Sequence, residues 1–191
     1  MASHSQQLRS EPRLVVGITG RIGSGKTTVG KYLESHYGFQ YLRYSAVLAE
    51  WRAKDFQSKS RLQEVGWEVM AEGMQAELNQ RLLGQIVPER DLAVDGLRHP
   101  LDYQTLDNSF SRWFRLLFIA SPPHIRFARL NQRGKYADMA SFEAADSHPV
   151  EQHIDSLQSK AVAVIQNESS LDDLYAAVDD TIFRFRKEGR S

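Results

Sequence analysis

A chain of 191 residues can bury a substantial core, and its 24 Lys and Arg against 24 Asp and Glu leave no net charge to draw it to nucleic acid or an anionic membrane surface. It has no cysteine, which excludes disulfides, thiolate metal sites and cysteine nucleophiles together. The opening stretch MASHSQQLRSEPR lacks the apolar segment of a signal peptide, and no later run approaches membrane-spanning length. The expectation is a cytoplasmic protein with a flexible tail over 1–12 and a single domain over 13–191.

Leu14, Val15, Val16 and Ile18 form a short apolar strand, and Val29, Tyr32 and Leu33 continue at helical spacing. Between them GRIGSGKT, Gly20 to Thr27, matches the phosphate-loop pattern GxxxxGK[ST]. Glycines let such a loop turn tightly, so that backbone N–H groups approach phosphate oxygens. The helix that follows presents unpaired amides and its positive dipole end to the same anion. Lys26 would reach the β- and γ-phosphates of ATP, and the Thr27 hydroxyl would serve Mg²⁺, which prefers oxygen ligands. Gly20, Ile22, Gly23, Ser24, Gly25 and Thr28 complete the expected phosphate-binding set.

Gly38 ends the first helix, and Phe39 to Leu42 suggest a second strand. Ser45 reads as an N-cap, and the chain from Ala46 to about Arg90 reads as one long helical excursion. Asp91 to Asp95 is a short strand closing on an acid, which GLRHP terminates. In open parallel α/β sheets ligands gather beyond the carboxyl ends of the strands, so Asp95 is expected beside the phosphate loop. Trp113 to Ala120 reads as a strand covered on both faces.

Pro122 and Pro123 start a helix carrying Arg126, Arg129 and Arg133, of which the last two share a face. A polar, irregular stretch follows, then a helix near Val150 to Ser159 and a strand at Ala161 to Ile165. Ser170 and Asp173 open a final amphipathic helix whose stripe is Leu171, Leu174, Val178, Ile182 and Phe185. Alternation of strand and helix predicts an α/β fold, a three-layer P-loop NTPase sandwich with a parallel sheet of about five strands.

Five strings make the chain similar to the P-loop nucleotide kinases, the group of nucleoside monophosphate kinases and dephospho-CoA kinases. GITGRIGSGKTTV looks like the dephospho-CoA kinase loop, and DGLRHP at Asp95 to Pro100 resembles a DGxRxP segment. LQEVGWEVMAEG resembles the acceptor-side LQxxGxxLRxxxG, RFARLNQRGK the entry to a lid, and VIQNESSLDDL the turn around adenine. The resemblance implies that Arg98 holds the acceptor's phosphate, that Arg129 and Arg133 contact phosphates from the lid, and that Asn167 lies near the base. It implies an acceptor-binding insertion at about 45–90, with Ser45, Arg61 and Gln63 on the acceptor side, and a lid at about 133–150. Tyr44, Ser45 and Ala46 stand where dephospho-CoA kinases have an Asp-rich DAD segment, and Met70 replaces an arginine. Both departures concern the acceptor, not the donor.

The expected function is an ATP-dependent phosphotransferase acting on a (deoxy)nucleoside monophosphate or dephospho-CoA-like small molecule. Lys26, Arg129 and Arg133 would stabilise the transferring group, and Asp95 would either order magnesium or accept the acceptor's proton. The alternative is an ATP-binding regulatory module with weak hydrolysis and a protein partner that the sequence does not name. Plainer readings stand beside these: Asp95 as a turn acid, Arg98 as a solvated loop charge, and Arg126, Arg129 and Arg133 as an exposed face. Arg61 and Gln63 would equally cover the outside of a helix, and Trp51, Trp67, Met70 and Met74 would equally be packing residues. His148 and His153, five apart with Pro149 between them, do not share a helix face as metal-binding pairs do.

Overall fold

The computed structural model describes residues 14–52 and 59–188. The expected tail over 1–12 and part of the helical excursion, 53–58, lie outside the described residues. Five parallel strands form one sheet in the order β2-β3-β1-β4-β5: β1 Val15–Thr19, β2 Gln40–Arg43, β3 Leu92–Asp95, β4 Phe114–Ala120 and β5 Ala163–Gln166. The strand at the centre is the one that runs into the glycine loop. Its register pairs Ile18 with Asp95, which brings the end of β3 beside the start of the loop.

Alternation along the strands divides the core into two apolar layers. Val16 and Ile18 of β1 pack with Leu117 and Ile119 against α1 (Lys26–Tyr37) and α9 (Leu171–Glu188). Val15, Leu92, Val94 and Leu116 face the other way, onto α2 (Tyr44–Arg52), α3 (Lys59–Ala71), α4 (Gln75–Leu83) and α5 (Pro100–Phe110). The result is a three-layer α/β sandwich, with each fully buried aliphatic side chain contributing about 1.5–3 kcal/mol. α1 stops where Gly38 turns left-handed at φ 72° and its N–H reaches Glu34. α9 begins with the expected reciprocal cap: the Asp173 amide donates to Ser170 Oγ, and the Ser170 amide to the Asp173 carboxylate.

Two expectations are corrected, the Ser45 cap and the irregular stretch after Arg133. The expected helical excursion from 46 to about 90 comprises, among the described residues, α2, α3 and α4, and Gly73 parts α3 from α4 at φ 70°. Ser45 is not a cap, because α2 starts at Tyr44 directly from β2 and carries Ser45 inside its first turn. The segment after GLRHP, to which the sequence assigned no element, is α5, started by a capping box in which His99 accepts the Leu101 amide and Asp102 accepts the His99 amide. The irregular stretch after Arg133 likewise contains a helix, α7 (Met139–Asp146), capped by Asp138. α6 (Pro123–Asn131) precedes it and α8 (Ile154–Gln158) follows.

Two glycines on buried helix faces have opposite surroundings. A Cβ at Gly30 would overlap the Tyr41 ring, whereas one at Gly66 would meet Val150 and Leu48 at 3.5 and 3.7 Å, ordinary contact distances. Gly30→Ala is therefore expected to destabilise the protein by about 1–3 kcal/mol. Gly66→Ala is expected to be neutral or to stabilise by up to about 1 kcal/mol through helix propensity. Urea unfolding midpoints measure both, and a strongly destabilised Gly66→Ala would contradict the packing of α3 against Val150.

Candidate active site

The loop after β1 holds its shape through backbone that only glycine adopts easily. Gly20 has φ 141° and a Cβ there would strike the Ile119 carbonyl; Gly25 has φ 107° and a Cβ there would strike the Asn167 amide. Gly25 is also the N-cap of α1, and it supplies no side chain to the first-turn amides. Inside the loop the Ser24 hydroxyl is buried with no hydrogen-bond partner. Lys26 is 9% exposed, and its Nζ donates to the carbonyls of Gly20 at 2.6 Å and Arg21 at 3.0 Å. Burial lowers its pKa below the ordinary 10.5, with Asp95 and Glu151 pulling it back up.

At the mouth of the loop the Thr27 hydroxyl donates to Asp95 Oδ2 at 3.0 Å, and Tyr41 OH donates to the same oxygen at 2.7 Å. Desolvation first, and then the Asp95 charge, push the Tyr41 hydroxyl well above its ordinary range. The sequence placed Asp95 beside the loop; it gave no sign of Tyr41, which strand β2 carries in from two strands away.

On the opposite wall Arg129 donates to the Asn167 carbonyl at 3.0 Å and to Asn167 Oδ1 at 3.2 Å. Asn167 Nδ2 in turn donates to the Ser24 carbonyl at 2.8 Å. Arg133, exposed, lines the same cleft. Arg126 belongs to no exposed face. It is buried, donates to the carbonyls of Ile22 and Ser121, and pairs with both oxygens of Asp146 at 2.5 and 2.8 Å. Arg21 joins Asp146 through its carbonyl and Asp155 through its carboxylate, and its bond lowers the pKa of Asp155. Ile22, Leu130 and Phe142 make a small apolar cluster beneath these pairs. Segment 133–150 is thus fastened to the glycine loop.

Toward α2–α4 the loop opens into a cleft of about 440 Å³. Its far wall includes Ser45, Leu48, Gln63, Met70, Gln75 and Arg98. Arg98 pairs at 3.1 Å with Glu151, which is fully buried, and the second oxygen of Glu151 has no partner. Gln63 donates to the Ala145 carbonyl at 3.2 Å and to Glu151 at 3.4 Å, so it ties α3 to the opposite segment. Arg61 is not brought to the cleft: it sits on the outer side of α3 and pairs with Glu64 at 2.9 Å. Trp51 lies between the guanidinium groups of Arg52 and Arg81, and Trp67 is 40% exposed. Asp102 is the site acid that the sequence did not mark; its signal was its place three residues after His99, in the first turn of a proline-initiated helix.

A family model described as an AAA domain matches residues 16–149, from the central strand through segment 133–149. The chain belongs to the AAA-domain family. This AAA-domain protein is 26% identical to a UPF0200 protein of Sulfurisphaera tokodaii, over 89% of this chain and 96% of that one. It is 26% identical to a dephospho-CoA kinase of Thermosynechococcus vestitus, over 93% and 97% of the two chains. Among solved structures it superposes on a shikimate kinase from Acinetobacter baumannii with a TM-score of 0.55, covering 94% and 97% of the two chains at 15% identity, a likeness of fold. Among the described residues no helix is long and apolar enough to cross a membrane.

The buried ammonium yields a pH signature. Since the folded chain releases the Lys26 proton below 10.5, the unfolded chain binds more protons in the window between the lowered pKa and 10.5, and stability rises with pH there. Phosphate set against Nζ restores the charge. Calorimetric titration with ADP across the alkaline range below pH 10.5, in buffers of different ionisation enthalpy, is expected to show proton uptake that Lys26→Met abolishes.

Proposed function

We propose that the protein is an ATP-dependent phosphotransferase, moving the γ-phosphate to a nucleotide-like small molecule, a (deoxy)nucleoside monophosphate or a dephospho-CoA-like acceptor. The observation that carries this reading is that one cleft is lined together by the glycine loop, by Arg98 and residues of α2–α4, and by Arg129 and Arg133. On this reading 13–191 is a single domain, the insertion at about 45–90 walls the acceptor end, and about 133–150 is the lid.

The residues fit ATP and magnesium. Glycines set the cradle's backbone, since a Cβ at Gly20, Gly23 or Gly25 would strike Ile119, Leu130 or Asn167 behind it, and Thr27 and Asp95 set two hard oxygens 3.0 Å apart at its mouth. Magnesium held there would supply charge neutralisation between the donor's phosphates. Lys26 would turn its ammonium from the loop carbonyls to the β- and γ-phosphates, helped by Gly20, Ile22, Gly23, Gly25 and Thr28. Arg129 and Arg133 would meet the charge that spreads over the transferring group, and Asn167 would stand beside the base. Arg98 would grip the acceptor with Ser45 and Gln63 on the same wall, and Asp95 would accept the acceptor's proton or order the metal's water. Arg61, outside the cleft, has no place in this scheme. The fold, the absence of cysteine and the relatives' printed activities support a cytoplasmic enzyme with a small-molecule partner.

Glu151 favours a second reading, the regulatory module, because it already occupies Arg98. ADP release with Mg-ATP, measured against nucleoside and deoxynucleoside monophosphates and dephospho-CoA, separates the two. One acceptor is expected to raise turnover, Lys26→Ala to abolish it, and Arg133→Ala to lower kcat by about a hundred- to a thousandfold. ATP binding with turnover indifferent to every acceptor would overturn the kinase reading in favour of the module.

A further inference from the structure

The wall beyond Arg98 holds a polar chain closed at every point except one. Asp102, 1% exposed, lies at its centre. Its Oδ2 accepts the backbone amides of Arg98 at 3.0 Å and His99 at 2.9 Å. Its Oδ1 accepts Gln75 Nε2 at 2.5 Å and Asn79 Nδ2 at 3.1 Å. Burial pushes the carboxyl's pKa up while these four donors pull it down, and four donors leave no lone pair to carry a proton. Asn79 Nδ2 also donates to the Gln75 carbonyl at 3.0 Å, an acceptor that fixes which way the Asn79 amide faces, and Tyr44 OH closes the other end on Asn79 Oδ1.

The orientation of the Gln75 amide follows. Its nitrogen must face Asp102, so its oxygen must face away. Gln75 is 4% exposed and lines the cleft, and its Oε1 is buried without a partner. A buried carbonyl oxygen left unmatched is costly, so the site is built for a donor that the protein does not supply. The cleft that Gln75 lines also carries the apolar side chains of Leu48, Leu62, Met70 and Leu78, with Gly66 of α3 among them. That is room for a flat ring, with one acceptor at its edge.

We propose that Gln75 is the specificity-determining residue of the acceptor end: its Oε1 accepts an N–H from a flat heterocyclic base, so the acceptor is a nucleotide whose base carries an amino or imino donor. This rests on the phosphotransferase reading and narrows its acceptor. It also explains why Asp102 is worth burying. One carboxylate holds the amide that meets the base and, through the Arg98 amide, the segment whose guanidinium meets the phosphate, so both ends of the acceptor are measured from a single point.

The test uses acceptor pairs that differ in one donor: adenosine against purine-riboside 5′-monophosphate, cytidine against its 4-deamino pyrimidinone analogue, and uridine against N3-methyluridine. Calorimetric Kd with ADP present, and kcat/KM where turnover occurs, are compared for wild type, Gln75→Leu and Gln75→Met. For at least one pair wild type is expected to prefer the donor-bearing member by about ten- to a hundredfold. The variants are expected to bring that ratio near one while ADP affinity holds. A merely structural Gln75 would weaken both members equally and leave the ratio. Wild type showing no preference in any pair, or binding none of them, overturns the inference even should the variants fail to fold. Preferential binding without phosphate transfer would sink the kinase reading and leave the assignment of Gln75 standing.

Discussion

An ammonium removed from water is the constraint around which the site is arranged. Lys26 Nζ lies at the root of the loop, held by two loop carbonyls, and uncompensated burial of such a charge costs several kcal/mol. Compensation comes from Asp95 and Glu151, and each acid must itself be held. Asp95 is held by Thr27 and Tyr41; Glu151 is held by Arg98 and Gln63. From one buried charge the network therefore reaches β2, β3, α3 and the segment after α7. The same surroundings that depress the ammonium make its exchange of loop carbonyls for phosphate oxygens favourable, because a doubly charged ligand supplies what the carbonyls supply only in part.

The glycine loop is also a structural hub. Asn167 reaches it from the end of β5 and passes its geometry on to Arg129, so the wall that would face the base is positioned by the same peptide that would face the phosphates. Substitution at Gly25 would disturb both at once, since the space of its missing side chain is filled by the Asn167 amide. The loop is short, but three elements take their positions from it.

Much of this was legible in order along the chain. Apolar runs closing on glycine or on an acid gave β1 and β3, and the fixed spacing of Gly20, Gly25, Lys26 and Thr27 gave the loop, because those constraints are local. Arg126 was not legible: beside Arg129 and Arg133 it looks like one more charge on a helix face, and only the return of Asp146 from twenty residues away makes it interior. Asp102 was hidden for the same reason, since its partners come from α4 and the turn after β3. Arg61 erred in the other direction. A motif placed it near the acceptor, but helical phase turned it outward to Glu64, while Gln63, two residues on, turned inward. Helix α5 was missed because the proline that ends the GLRHP turn is also a good first residue for a helix.

If 133–150 is the lid, as proposed, Ile22 gives the loop a role in timing. Its side chain is the hydrophobic seat on which Leu130 and Phe142 rest, and its carbonyl anchors Arg126. A cover seated on the phosphate loop itself does not swing as a loose flap. Lifting it exposes an oily seat and unpairs Arg126 from Asp146 in one step, so it has a discrete latch rather than a continuum of openings. On the proposed reading, the escape of spent nucleotide waits on that latch, and the clock of the whole cycle lies in the side chain of an isoleucine whose backbone belongs to the phosphate loop.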